Sequence, residues 1–325
     1  MRRLRITDDG GALALEEVPV PSPGAREVTI DVAFSGVNLK DVKQRGGAAT
    51  ASRSDVVYPG FEVSGHVREV GEAVTDLRAG QPVVARPIVG GYADVAVARR
   101  ELVVVVPGPD DEAPLRDAAA SFIATSTALL LLEELGRLRP QESLLVHGAA
   151  GAVGSALGQV ATYLELDPII GTVGSEGKRD VAVAQGYTHA LLRDGFDDEV
   201  RRITDGRGVT AVADPLGGDV RRASFDVLAP MGRLLAFGRT GTDDEGLPEG
   251  TVLRSRNLSY QGMSFGSLSD AAPELSQRVV ARAVELIVSG TVRVPVYAEY
   301  PLPEANDALD ALGSRTTTGK LLLKT

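Results

Sequence analysis

The sequence contains no cysteine, which excludes disulfide bonds and thiolate ligands for zinc. Its three histidines, His66, His147 and His189, lie too far apart in the sequence to suggest a local cluster of metal ligands. The absence of cysteine also removes one common class of catalytic nucleophile. Catalysis by a resident metal or by a thiol is therefore disfavoured.

Long apolar runs and basic clusters are also scarce. Residues 128–132 form one of the longest apolar runs, far shorter than the about 20 residues of a membrane-spanning helix. The first residues include no apolar stretch of signal-peptide length. With 34 basic and 44 acidic residues, the net charge of −10 opposes binding to nucleic-acid phosphates. These features predict a cytoplasmic protein without a membrane or nucleic-acid partner.

The 325 residues divide into two textures, as expected for about two domains. Up to about residue 107, short β-branched segments punctuated by glycine and proline predict a compact β-rich domain. From about residue 118, helices alternate with strands, which predicts an α/β fold with a doubly wound parallel sheet. The predicted strands of this sheet are 143–147, 168–173, 189–192, 209–213, 232–238 and 258–263. The same pattern predicts a helix at 175–185 and a further strand at 292–300. We expect the last strand of the chain, 320–324, to return to the first domain.

The most informative segment is the turn Ala149-x-Gly151-x-x-Gly154, which joins a predicted strand to a predicted helix. Small residues there let the backbone approach a pyrophosphate, whose charge the amides of the helix N-terminus stabilise. The first glycine of the dinucleotide fingerprint is replaced by Ala149. The alternative interpretation is an ordinary turn of a parallel sheet.

The end of the second predicted strand decides which dinucleotide would bind. NAD-preferring enzymes place an acid there, about 20 residues beyond the glycines, whereas this chain has small residues at that strand end. Ser175 is a hydrogen-bond donor, and Lys178 and Arg193 are cations within reach of a 2′-phosphate. We therefore predict NADPH as the cofactor. The alternative is that both cations are solvated surface charges.

Several motifs occur in one order along nearly the whole chain. They are Asn38-x-x-Asp41-x-x-x-Arg45, Tyr58-Pro-Gly-Phe-Glu-Val-Ser-Gly65, Gly91-Tyr-Ala-Asp94, the turn at 146–154, Asp214-Pro-Leu-Gly-Gly218, the segment 232–238 and Thr318-Gly-Lys320. In these the chain resembles the zinc-independent quinone oxidoreductase (zeta-crystallin-like) branch of the medium-chain dehydrogenase/reductase superfamily, and is similar to polyketide enoyl reductase domains.

The resemblance implies a Rossmann domain at 121–264 and a discontinuous GroES-like catalytic domain at 1–120 and 265–325. It also implies a homodimer, for which the edge strand 258–263 would be available. Asp41 and Arg45 stand four residues apart, so that they could pair and brace their turn.

The resemblance further implies the residues around the cofactor. Asn38 would lie beside the nicotinamide ribose and the substrate. The other implied cofactor residues are Lys43, Thr127, Ala150, Gly151, Ala152, Val153, Gly174, Ser175, Lys178, Arg193, Phe237, Gly238, Arg239, Thr240, Ser264, Phe265 and Gly266. Lys43 stands where relatives often carry an aromatic residue, so its contact with the cofactor is the least supported.

The implied reaction is hydride transfer from NADPH to a small electron-poor acceptor, a quinone or an α,β-unsaturated carbonyl, in a cleft between the domains. Without zinc, hydrogen-bond donors must stabilise the developing oxyanion, and Asn38, Tyr92 and Tyr58 are the candidates. Segment 47–55 lacks a tyrosine that many polyketide enoyl reductases carry there, which favours quinones or small enones. Two alternatives remain: an enoyl reductase acting on a CoA- or carrier-bound thioester, and a non-catalytic NADPH-binding protein of the crystallin kind.

Overall fold

The computed structural model describes residues 1–7, 11–46, 56–108, 112–238 and 246–325. The chain divides into two compact units. Unit 1 consists of Met1–Ile123 and Pro273–Thr325, and unit 2 consists of Ala124–Ala272.

The described strands and helices are as follows, in chain order. The strands are β1 (Arg2–Ile6), β2 (Leu13–Glu17), β3 (Glu27–Val37), β4 (Val63–Val70), β5 (Pro82–Pro87), β6 (Val95–Val105), β7 (Leu144–His147), β8 (Ile169–Val173), β9 (His189–Leu192), β10 (Val209–Asp214), β11 (Leu228–Phe237), β12 (Ser259–Met263), β13 (Val296–Pro301) and β14 (Lys320–Lys324). The helices are α1 (Leu39–Arg45), α2 (Glu112–Leu129), α3 (Ala152–Tyr163), α4 (Arg179–Val183), α5 (Phe196–Ile203), α6 (Gly218–Asp226), α7 (Gly250–Arg256), α8 (Phe265–Ala271), α9 (Pro273–Val288) and α10 (Ala305–Gly313).

Unit 1 is built around one six-stranded sheet with the order β13-β14-β3-β4-β5-β6, in which β6 also pairs with β3. The long strand β3 makes this closure possible, because its first half pairs with β6 and its second half with β14. Val28, Ile30, Val67 and Val83 fill the interior of the closed part. The GroES-like domain that the sequence predicts is confirmed.

The last strand, β14, pairs with β3 in antiparallel fashion and with β13 in parallel fashion. The chain therefore returns to unit 1 after unit 2 is complete, as the sequence predicted. This return brings residues near position 320 beside residues near position 37.

Unit 2 contains a fully parallel sheet with the strand order β12-β11-β10-β7-β8-β9. Its central strands are almost continuously apolar and buried, as parallel strands covered on both faces require. The order reverses between β7 and β10, and ligands of such sheets bind at the carboxyl ends of strands at this point. The predicted doubly wound parallel sheet is confirmed.

Two predicted elements differ in the structure. The helix expected after β8 is a 3₁₀ turn at Glu176–Lys178 followed by the short helix α4, because Gly177 disfavours a helical start. The strand expected to begin at Val292 begins at Val296, directly after Pro295. Proline has no amide hydrogen to donate to a strand ladder, so the strand starts beyond it.

One helical segment, Ala113–Leu135, is long and apolar enough to cross a membrane by length and composition. The sequence suggested no such segment, because small and polar residues interrupt its apolar runs. Of its most apolar stretch, 83% is buried inside the protein. Core helices of globular proteins have the same properties, and we assign this helix to the core.

Candidate active site

The turn after β7 in unit 2 has the geometry that a dinucleotide requires. Gly148 adopts a positive φ of 75°, and the amides of Gly148 and Ala149 both donate to the carbonyl of Thr172 on β8. A Cβ at position 154 would lie 2.3 Å from the carbonyl oxygen of Gly148, so only glycine fits there. Gly154 thus allows α3 to pack directly against the turn.

Ala149 stands where the fingerprint has its first glycine, and its methyl group is accommodated by the neighbouring strand. A Cβ at Gly171 on β8 would lie 2.6 Å from the Cβ of Ala149. Gly171 on the facing strand therefore provides the space that the methyl group of Ala149 needs. The glycine within the apolar strand β8 was the feature of the sequence that indicated this arrangement.

The N-terminus of α3 lies at the end of the turn. Gly151 precedes the helix in an extended conformation, and Ala152 and Val153 form its first turn. These residues are partly exposed, whereas Ala150 is buried. The first amides of a helix have no acceptor within the helix, so they can bind a pyrophosphate.

The neighbouring ends of β8 and β9 place two cations close together, Lys178 shortly after β8 and Arg193 directly after β9. Lys178 and Arg193 are both partly buried, and the pKa of Lys178 is lowered, first by burial and then by the charge of Arg193. Glu176 is bound by Arg179, with an N–O distance of 2.9 Å, and does not neutralise the pair. This arrangement of positive charge suits an anionic ligand.

Arg193 supports the same assignment through an unsatisfied atom. Its Nε is buried and has no hydrogen-bond partner within the described part of the chain. A Cβ at Gly174 would lie 3.5 Å from its Nη2, so a glycine leaves space in front of the guanidinium. Ser175 follows as an exposed residue. Together these residues fit the 2′-phosphate of NADPH.

Asp214 ends β10, the strand that lies beside β7 at the point where the strand order reverses. Its carboxylate accepts hydrogen bonds from the amides of Leu216 and Gly217 and from Nε of Arg221, at 2.7 Å. Both charged side chains are buried. Arg221, which in the sequence formed part of a basic pair with Arg222, is therefore internal and braces the turn between β10 and α6.

His147, the last residue of β7, joins three elements. Its Nδ1 lies 2.8 Å from the hydroxyl of Thr172, and its Nε2 lies 2.8 Å from that of Ser224. The hydroxyl of Ser224 donates to the carbonyl of Val220, so it accepts the hydrogen of Nε2. Burial lowers the pKa of His147 to about 4, and the ring is neutral and structural.

The remaining predicted cofactor residues of unit 2 occupy strand and helix ends. Thr127 lies in α2, Phe237 ends β11, and Gly238 follows it with a positive φ of 54°. Thr127 and Phe237 are buried, whereas Gly238 is exposed. Arg239 and Thr240 lie outside the described residues.

Ser264 precedes α8, of which Phe265 and Gly266 are the first residues. The segment Gly262-Met-Ser-Phe-Gly266 also has the spacing of a serine nucleophile elbow. Its serine accepts hydrogen bonds from the amide and hydroxyl of Ser267. The described contacts of His147 and His189, the histidines of this unit, are with other residues. In the described part of the unit, no histidine is therefore seen to serve this serine as a base.

In unit 1, Asn38 begins α1 and its carboxamide is fully engaged. Nδ2 donates to the carbonyl of Gly36 and to Oε1 of Glu62, both at 3.1 Å. Oδ1 accepts a hydrogen bond from Nζ of Lys320 at 2.8 Å. Both amide hydrogens are thus used inside the protein.

Asp41 joins three of the sequence motifs. Its carboxylate accepts hydrogen bonds from the amides of Asn38 and Gly60 and from the hydroxyl of Tyr92, at 2.9 to 3.1 Å. Burial raises the pKa of Asp41, while these hydrogen bonds oppose the rise. The expected pairing with Arg45 is wrong, because Arg45 pairs with Asp310 on α10.

The tyrosines proposed as donors differ in their surroundings. Tyr92 is buried, and burial together with the charge of Asp41 raises its pKa well above the ordinary value. Tyr58 is partly exposed, and its hydroxyl accepts a hydrogen bond from Arg3, whose guanidinium also lies 4.1 Å from the centre of the Tyr58 ring. Lys43 is partly buried on α1.

A metal centre has no evident ligand set in the described residues. Across residues 1–7, 11–46, 56–108, 112–238 and 246–325, no three or more His, Asp or Glu side chains cluster as metal ligands. The sequence contains no cysteine that could complete such a set.

Two family models match the chain. The alcohol dehydrogenase GroES-like domain matches residues 24–108, and the family described as zinc-binding dehydrogenase matches residues 185–323. A probable quinone oxidoreductase of Schizosaccharomyces pombe is 31% identical over 310 residues, covering 95% of this chain and 91% of the relative.

Two solved structures resemble the chain over its whole length. The quinone oxidoreductase of Escherichia coli, complexed with NADPH, has a TM-score of 0.88 and 28% identity and covers 100% of both chains. A mycobacterial protein, also complexed with NADPH, has a TM-score of 0.90 and 29% identity, again with 100% of both chains covered.

Proposed function

Because this chain belongs to the medium-chain dehydrogenase/reductase superfamily and is an NADPH-dependent oxidoreductase, we propose that it reduces quinones or small α,β-unsaturated carbonyls without zinc. The choice of a quinone or small enone as hydride acceptor rests on the hydrogen bonds that Asn38 and Tyr92 make within the protein. Both amide hydrogens of Asn38 and the hydroxyl hydrogen of Tyr92 are directed at acceptors within the protein.

We assign cofactor binding to two groups of residues in unit 2. The amides of Ala152 and Val153 bind the pyrophosphate, since a helix N-terminus attracts anions, whereas the amide of Gly151 donates to the carbonyl of Gly148 and shapes the turn. Lys178 and Arg193 bind the 2′-phosphate, assisted by Ser175. Bound there, NADPH supplies a hydride at C4 of its nicotinamide ring. The chain's own contribution is to hold, orient and dry the reactants.

The engaged donors favour an acceptor that needs little acid catalysis. An enoyl thioester requires protonation at one carbon, which is usually the task of a positioned side chain. A quinone accepts hydride to give an oxyanion that water can protonate. Asn38 donates its amide hydrogens to Gly36 and Glu62, and Tyr92 donates its hydroxyl hydrogen to Asp41. Because these hydrogens are already bound, a quinone is the better supported substrate.

These contacts change the roles proposed for the candidate donors. Asn38 is proposed to contact the nicotinamide ribose while its amide hydrogens stay bound to the protein. Tyr92 is proposed to hold Asp41, and through it the turn at Asn38. Tyr58 remains a candidate donor, because its hydroxyl oxygen accepts a hydrogen bond from Arg3 and no acceptor for its own hydrogen is found among the described residues.

The test is NADPH oxidation measured with 1,4-benzoquinone, 1,4-naphthoquinone, an α,β-unsaturated ketone and crotonyl-CoA. We expect the highest kcat/KM with a quinone. Turnover of crotonyl-CoA alone would replace this proposal by an enoyl reductase. Tight binding of NADPH without turnover of any acceptor would replace it by a non-catalytic binding protein.

A further inference from the structure

Beside Asn38 lies a pair of opposite charges that the proposed reaction does not use. Glu62 is 0% exposed and Lys320 is 2% exposed, and they form an ion pair between Oε1 and Nζ. Removing two charges from water is costly, and a buried ion pair is often no more stabilising than an apolar pair of similar volume. The contacts of this pair indicate what it does instead.

The two charges act on opposite ends of one amide group. An ammonium can only donate, so Lys320 must face the oxygen of Asn38; a carboxylate can only accept, so Glu62 must face the nitrogen. A carboxamide without such partners can turn over with little change in shape. Lys320 and Glu62 therefore specify one of the two orientations of the Asn38 amide.

The backbone delivers both partners to this place. Gly319 has a positive φ of 57°, and a Cβ there would lie 2.1 Å from the carbonyl oxygen of Pro295, to which the amide of Lys320 donates. The second oxygen of Glu62 accepts a hydrogen bond from the amide of Ile123 at 2.9 Å. A Cβ at Gly36 would lie 2.5 Å from Oε1 of Glu62, so a glycine there makes room for the carboxylate.

We propose that Lys320 and Glu62 are positioning residues that fix the orientation of the Asn38 carboxamide toward bound NADPH. The inference rests on the proposed function, which assigns Asn38 to the nicotinamide ribose. Lys320 and Glu62 act through Asn38 and do not themselves touch the cofactor.

The first test needs no cofactor and no turnover. The sequence contains three asparagines, Asn38, Asn257 and Asn306, so protein labelled with ¹⁵N-asparagine gives three pairs of side-chain amide signals. An Asn38→Ala variant identifies the signal of Asn38. Its two hydrogens should be protected from exchange with water in the wild type.

The informative variant combines Lys320→Met with Glu62→Gln. Lys320→Met alone would leave the buried carboxylate of Glu62 without its partner, which is strongly destabilising, whereas the double variant leaves no unpaired buried charge. We expect it to lose the protection of the Asn38 hydrogen that Glu62 accepts, because the one oxygen of a glutamine at this position is taken by the amide of Ile123 and its nitrogen cannot accept. Lys324→Met, the same change four residues along β14, is the matched control and should keep the protection. Unchanged protection in the double variant would overturn the inference.

The second test is a kinetic cycle with NADPH and a quinone. The double variant should lower kcat by about ten- to hundredfold, the usual effect of a misplaced positioning group. In the Asn38→Ala background the same change should have no further effect, because the two residues act through Asn38. An equal loss of kcat in both backgrounds would show a general structural effect and overturn the inference. If the wild type showed no turnover, the proposed function would be overturned. The positioning of the Asn38 amide by Lys320 and Glu62 would still be decided by the hydrogen-exchange measurement, which needs no turnover.

Discussion

At the scale of single residues, the chemistry depends on where each polar hydrogen goes. Asp41 illustrates this, because its carboxylate takes hydrogens from the turn at Asn38, from the loop at Gly60 and from Tyr92. Three motifs that are separate in the sequence thus share one acceptor. The hydroxyl hydrogen of Tyr92 and the amide hydrogens of Asn38 are likewise bound to acceptors within the protein, so neither residue is a free donor.

The assignment of Tyr92 to Asp41 predicts a modest effect of its removal. Tyr92→Phe loses one hydrogen bond to a buried carboxylate, which costs about 1.5 to 3 kcal/mol of folding free energy. Turnover with a quinone should fall less than tenfold, whereas loss of a general acid typically costs about 10²- to 10⁴-fold. Steady-state kinetics and urea unfolding of the variant measure both effects. A hundredfold loss of kcat would return Tyr92 to the role of proton donor.

The position assigned to Arg193 predicts that this residue determines the preference for NADPH over NADH. Arg193→Ala should raise KM for NADPH by about 10- to 100-fold, since a charge-assisted hydrogen bond contributes about 1.5 to 3 kcal/mol. KM for NADH should change little, because NADH lacks the 2′-phosphate. Arg201→Ala, which removes an exposed arginine of the same unit, is the control. Equal increases of KM for both cofactors would contradict the assignment.

Residue roles were only partly predictable from the sequence. The missing acid after β8 pointed to Lys178 and Arg193, and the structure brings these two cations together. The partner of Asn38 was not predictable, because Lys320 follows it by 282 residues and only the fold brings them together. Asp41 was predicted to pair with Arg45, four residues along the chain, but it is buried and accepts from amide and hydroxyl donors instead.

At the scale of elements, the parallel sheet of unit 2 was the most predictable feature. Its strands alternate with helices and its central strands are nearly uniformly apolar, and this pattern allows few other arrangements. Element ends were harder to predict, because they depend on local details such as Pro295 before β13 and Gly177 after β8. The cross-links between elements, such as His147, carry no pattern in the sequence.

His147 predicts how the stability of unit 2 depends on pH. Unfolded, its pKa is near the ordinary value of 6.5, whereas folded it is about 4. Between these values the unfolded state binds more protons, so the contribution is complete above pH 6.5 and is lost as the pH falls toward 4. The full loss is about 3 kcal/mol.

Urea unfolding at several pH values between 7 and 4 measures this dependence. Because other groups also titrate in that range, the comparison is with His147→Gln, which keeps a polar side chain but does not titrate there. The wild type should lose about 3 kcal/mol more than the variant over this range. Parallel losses in the two proteins would show that His147 does not set the dependence.

At the scale of the whole molecule, one edge of the parallel sheet is available for assembly. Strand β12 pairs with β11 on one side and is the last strand of its sheet among the described residues. We propose that two chains associate through this edge. Light scattering at micromolar concentration should then give twice the chain mass of 34.0 kDa. Gln261→Lys should lower the dimer fraction, because edge lysines oppose strand pairing. A monomeric wild type would contradict the proposal.

We propose that this chain transfers hydride from NADPH to a quinone without a resident zinc ion. The most direct measurement is the kcat/KM for NADPH with 1,4-naphthoquinone before and after exhaustive dialysis against a chelator, with the zinc content determined in both samples. We expect the same kcat/KM in both samples and a higher value with NADPH than with NADH. Loss of activity on dialysis that is restored by added zinc would contradict it.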